Sequence, residues 1–80
     1  MSYNEIFDKV TELLASQLPV DQAAMKPESR MIEDLGADSA NIMILICDVE
    51  NEFGITVDND MLTKIVTVDD LVKYLESELK

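Results

Sequence analysis

Residues 33–54 read Glu33-Asp34-Leu35-Gly36-Ala37-Asp38-Ser39-Ala40-Asn41-Ile42-Met43-Ile44-Leu45-Ile46-Cys47-Asp48-Val49-Glu50-Asn51-Glu52-Phe53-Gly54. A helix start, a long apolar-periodic run and a helix stop follow one another here. Asp38 is a capping residue, whose carboxylate can accept a backbone N–H that the first turn leaves unpaired. Gly54 stands where helices end in a left-handed conformation. The helix is therefore expected over 39–53. At about 100° per residue, Ile42, Leu45, Ile46, Val49 and Phe53 fall on one stripe. Ala40, Met43, Ile44 and Cys47 fall on a second, roughly opposite stripe. A single small bundle buries one stripe well, so the second is expected to lie exposed beside Ser39 and to face partners, as in helix-in-groove recognition.

Upstream, Tyr3, Ile6, Phe7, Val10, Leu13, Leu14 and Leu18 recur at helical spacing. Ser2 with Glu5 forms a capping box at the start of that helix, and Pro19 marks its end. Residues 19–38 make a long connection with two prolines, Pro19 and Pro27, and with Gly36 near its end. Loops of this length in compact domains are usually functional. Met25, Met31, Ile32 and Leu35 are expected to pin it to the core. Downstream, residues 55–57 are short and extended, and residues 58–65 suggest a short helix. Thr67 with Asp70 caps a last helix carrying Val68, Leu71, Val72, Leu75 and Leu79. The expected fold is all-α: one domain over residues 1–80, a small bundle of three main helices plus one short helix.

Composition narrows the chemistry. With 17 acidic against 6 basic side chains, the net charge over 80 residues is −11. Nucleic acid is excluded as a direct partner, because phosphate binding needs clustered Lys or Arg. An acidic body is drawn to basic patches on other proteins, and the same charge also serves plain solubility. Cys47 is the one cysteine, so no internal disulfide forms, as in a reducing cytosol. No signal peptide and no membrane span is read, and a cytoplasmic, monomeric protein is expected. There is no histidine. The commonest general base and metal ligand is thus missing, and with one Cys no zinc site or Cys–His pair is possible. Asp58-Asn59-Asp60 begins like a calcium loop, but Leu62, Thr63 and Asp69 stand where an oxygen ligand, a glycine and a glutamate belong. No metal site and no catalytic activity of its own are expected.

Ser39 sits just inside a helix, after a glycine-bearing loop. Such a position suits an attached phosphodiester, because the first helical N–H groups are unpaired and the dipole end is positive. On local chemistry alone, the favoured reading is that Asp38 and Ser39 merely cap the helix. Leu35-Gly36-Ala37-Asp38-Ser39 resembles the phosphopantetheine attachment motif of acyl carrier proteins. The similarity extends over essentially the whole chain, including Glu50, Glu52, Phe53, Gly54, Ile55 and Thr67-Val68-Asp69-Asp70-Leu71. The resemblance implies a 4′-phosphopantetheine arm on Ser39, within a site comprising Leu35, Gly36 and Asp38. It implies a holo-synthase (phosphopantetheinyl transferase) that moves the arm from coenzyme A, and acyl-transferring and condensing enzymes as further partners. Acyl intermediates would be held as thioesters for fatty acid, polyketide or specialised lipid biosynthesis.

Two departures from the family pattern stand out. Ala40 follows the serine where the family usually has leucine, and Asn41 and Ile44 occupy commonly acidic positions. Ala40, Met43, Ile44, Cys47 and Glu50 are therefore read as a partner-binding face of unusual, apolar character. The inner stripe, with Ile42, Leu45, Ile46, Leu71 and Leu75, is expected to border an expandable cavity for cargo. The rival reading is an unmodified interaction domain that keeps the fold and binds through its apolar helix face.

Overall fold

The Ser2 hydroxyl accepts the Glu5 N–H and the Glu5 carboxylate accepts the Ser2 N–H, at 3.3 and 3.0 Å. The expected box thus opens α1 (Tyr3–Gln17) in the computed structural model, which describes residues 2–79. A second box, of Asp38 and Asn41, opens α2 (Ser39–Phe53), and Thr67 with Asp70 opens α3 (Val68–Glu78). Each cap contributes about 1 kcal/mol. Gly54 ends α2 at φ 67°, a left-handed conformation that a side chain would strain.

The three helices meet along their apolar stripes. Ile6, Val10 and Leu14 of α1 pack against Val68, Leu71, Val72 and Leu75 of α3 and against the inner face of α2. Ile42, Leu45, Ile46 and Val49 are buried, and Phe53 is half-buried at the end of the same stripe. Among the described residues the architecture is all-helical, as the apolar periods require.

The short helix expected over 58–65 is a 3-10 turn at Asn59–Thr63, and a further 3-10 turn lies at Gln22–Ala24. Asp58 makes no side-chain cap, and a five-residue segment too short to repay nucleation settles into the tighter turn. The long connection is pinned by Met25, Met31 and Leu35 as expected, but Ile32 points outward at 60% exposure. Its neighbour Met31 takes the inward place, because the Met31 N–H donates to the Val66 carbonyl at 3.0 Å. Val68 N–H to Ser29 and Asp69 N–H to Pro27, at 3.0 and 2.9 Å, complete a strap between this loop and the start of α3.

Tyr3 stacks on Phe7, and its hydroxyl donates to Asp69, tying the start of α1 to α3. Burial, and then this bond, push the Tyr3 hydroxyl up to about 12 from 10.0. The Tyr3 hydroxyl first, and then the Lys73 ammonium, hold the Asp69 carboxyl below the usual range. The contribution is therefore present above the ordinary carboxylate pKa and below that of a free tyrosine. It is lost as pH falls through the lowered Asp69 value, or rises through about 12. Tyr3→Phe is expected to cost about 1–2 kcal/mol near neutrality, as for a hydrogen bond to a charged group. Urea unfolding should show that difference shrinking below pH 4; a difference independent of acid would assign the loss to packing.

Candidate functional site

The loop before α2 alternates between anchors and free positions. Leu35 and Ala37 are buried, while Gly36, Asp38 and Ser39 are exposed. Asp34 N–H and Leu35 N–H both donate to the Arg30 carbonyl, at 2.8 and 3.1 Å, and Ala37 N–H donates to Met31 at 3.0 Å. Gly36 makes the swing between the two anchors at φ 77°, with open space where a Cβ would project. It is needed for conformation, then, and not for room. Leu35 is buried in the core behind this loop.

Asp38 caps α2 by accepting the Asn41 N–H at 2.9 Å, and the Asn41 side-chain oxygen accepts the Asp38 N–H at 3.1 Å. Ser39 is the first residue of the helix and is exposed. Its hydroxyl thus stands where the helix dipole favours an anion and where another protein has access.

Along α2, Ala40, Met43, Ile44 and Cys47 are all exposed, Met43 by 55% and Ile44 by 51%. The apolar strip is open for two turns from Ser39. Glu50 is placed differently: half-buried, it accepts the Val57 N–H at 2.8 Å and so holds the segment after α2.

Asn41 has a structural partner that its spacing did not reveal. Its Nδ2 donates to Gln17 Oε1 at 3.1 Å, joining the end of α1 to the start of α2. Gln17 Nε2 is buried there without an acceptor. In Asn41→Asp, a rotated Gln17 amide would offer that donor to the carboxylate, and the new charge would lie in the first turn of α2. The substitution is expected to hold or raise stability, by up to about 1 kcal/mol. A lower midpoint in urea would mean that the Asn41 donor itself is required.

Beside Ser39 lies a cavity of about 150 Å³ lined by Ile32, Ser39, Ile42, Met43 and Leu62. It adjoins a groove of about 280 Å³ bounded by Arg30, Ile32, Glu33, Leu62, Thr63, Ile65 and Val66. Of the residues expected to border a cavity, Ile42 lines this one. The open space lies on the other side of Ile42, toward the 3-10 turn at Asn59–Thr63. Ile32 is expected in the core and Leu62 is given no place at the site, because both sit outside strongly periodic elements, where spacing gives no direction to a side chain.

Comparison with known proteins agrees with this geometry. The family described as "Phosphopantetheine attachment site" matches residues 8–75. An acyl carrier protein of Thermotoga maritima is 45% identical over 78 residues, covering 98% of this chain and 96% of its own. One of Helicobacter pylori is 41% identical over 71 residues, covering 89% and 91%. A solved acyl carrier protein from Enterococcus faecalis superposes with a TM-score of 0.81 at 27% identity, over 96% of this chain and 98% of that one.

Proposed function

The chain belongs to the acyl carrier protein family, a phosphopantetheine-dependent carrier and not a catalyst, and from that premise we propose that its arm is attached at Ser39. The observation that carries this reading is an exposed serine at the first position of α2, bordering an apolar cavity. The residues present fit such a group. The first turn of α2 offers its positive end to a phosphodiester at the Ser39 oxygen, Gly36 supplies the left-handed swing into the helix, and Leu35 and Ala37 hold the loop in place. The arm supplies a terminal thiol that carries an acyl chain as a thioester. Incubation with coenzyme A, magnesium and a promiscuous holo-synthase tests the assignment. Intact mass should rise by one phosphopantetheine, and peptide mapping should place it on Ser39. No mass gain would favour the unmodified interaction domain.

Residues 1–80 act as one carrier domain, in this reading. Among the described residues no helix is long and apolar enough to cross a membrane. The partners are the holo-synthase and acyl-transferring and condensing enzymes. Contact would run through Ala40, Met43, Ile44 and Cys47, whose side chains form an uncharged strip on an acidic body. Charged contacts chiefly set encounter and register, whereas a desolvated apolar anchor sets residence time. The strip therefore favours a dedicated enzyme with an apolar groove over a generic synthase that relies on basic patches.

A further inference from the structure

α1 and α2 share an apolar seam, and among the described residues two polar side-chain links cross it. Lys9 meets Glu52 at 3.0 Å near the end of α2, where both are partly exposed. Gln17, the last residue of α1, meets Asn41 in the first turn of α2, two residues after Ser39. Apolar contact is non-directional, whereas a hydrogen bond fixes an angle as well as a distance. The Gln17–Asn41 bond therefore sets how the serine-bearing turn is rotated against α1.

The orientation of both amides is dictated from the cap outward. The Asp38 N–H donates to Asn41 Oδ1, which leaves Asn41 Nδ2 facing α1. Gln17 must answer with Oε1, and its Nε2 is then buried without an acceptor. Rotating the Gln17 amide would bring two donors together. Burying an unpaired donor costs at least what one hydrogen bond returns. The pair thus adds little to stability, while it holds Asn41, and through Asn41 the Asp38–Ser39 corner, in one arrangement.

What the corner presents depends on that arrangement. Asp38 takes up the Asn41 N–H with its side chain and the Ile42 N–H with its carbonyl, at 2.9 and 3.1 Å. Of the N–H groups that a helix start leaves over, those of Ser39 and Ala40 remain for a phosphodiester. Their direction and that of the Ser39 hydroxyl turn together with the first turn of α2.

Resting on the assignment of the arm to Ser39, we propose that Gln17 is a positioning residue for attachment of the arm. Acting through Asn41, it holds the Ser39 oxygen in line with the diphosphate of coenzyme A on the holo-synthase. In that transfer the Ser39 oxygen bonds to the pantetheine-side phosphorus, the bridging P–O bond breaks, and the nucleotide leaves with its phosphates. The Ser39 proton passes to a base of the holo-synthase. Gln17 touches none of these atoms.

The test is arm transfer to the unloaded protein with coenzyme A, magnesium and a promiscuous holo-synthase. Mass spectrometry of the parent comes first. No arm on the parent would sink the Ser39 assignment, and the positioning role with it, before any variant is compared. Gln17→Met keeps side-chain length and helix preference and removes both ends of the amide. Its urea midpoint should equal or exceed the parent's, since the orphaned donor goes with the bond. KM for the carrier should stay within about twofold, because docking runs along the strip of α2. The kcat should fall about 10-fold, as for a displaced nucleophile. Hydrogen exchange of the Asp38 N–H in the unloaded protein should quicken. In an Asn41→Ala background the same Gln17→Met change should have no further effect on kcat. A parental kcat in Gln17→Met, a loss undiminished in Asn41→Ala, or a raised KM at parental kcat would each overturn the positioning role while leaving Ser39 assigned. An unfolded Gln17→Met would overturn it too, by making the pair a structural bond.

Discussion

Ser39→Ala is expected to abolish loading with phosphopantetheine completely while leaving the fold intact. The oxygen that would carry the phosphodiester is removed, and no other hydroxyl stands at the first turn of α2. Asn41, the other polar side chain of that turn, has only an amide to offer and is engaged with Asp38 and Gln17. The helix itself loses nothing essential. Its cap is Asp38, not Ser39, and alanine is the better helix former. Because Ser39 is exposed, stability should stay within about 0.5 kcal/mol of the parent. Mass spectrometry after incubation with coenzyme A and holo-synthase reads the result directly. Residual loading of the alanine variant would move the attachment to another side chain, and a collapsed fold would make Ser39 a structural residue.

Ile44→Glu is expected to reduce affinity for the native partner enzyme by about 10- to 100-fold. Burying the exposed half of an isoleucine contributes about 1 kcal/mol, an unpaired carboxylate in an apolar groove costs about 1–2 kcal/mol more, and each 1.4 kcal/mol is tenfold. The side chain is 51% exposed in the free protein, so the change should barely alter stability. A carboxylate at this position also restores the kind of charge that basic docking patches recognise, which should raise turnover by generic synthase enzymes through faster encounter. Titration against the native condensing enzyme, beside a generic one, separates the effects. Equal affinity of parent and variant for the native enzyme would remove Ile44 from the docking face. An unfolded variant would place it in the core, against the exposure of the strip.

On these expectations α2 has two working parts. One end turns on a single exposed oxygen whose position is set by Leu35, Gly36 and Ala37 behind it. The outer face turns on a strip that the bundle has no third layer to cover.

What the sequence determined by itself is the set of local features whose physics is local. Capping boxes at Ser2–Glu5 and Thr67–Asp70, the stop at Gly54 and the 3.6-residue stripes of α1, α2 and α3 depend on neighbours three or four positions apart. So does the placement of Ser39 on the first turn of α2, and so do the two faces of that helix, since a stripe opposite a buried one has nowhere to go in so small a bundle. What only the tertiary structure decided are pairings between distant segments. Glu50 accepts the Val57 N–H, and Asn41 found Gln17 across the bundle. Of the apolar neighbours Met31 and Ile32, only one could face inward once the Met31 N–H was tied to Val66. The cavity at Ser39 belongs to the same class. Its walls come from a loop, a helix and a 3-10 turn, and aperiodic segments gain a side-chain direction only when backbone hydrogen bonds to another part of the chain supply one.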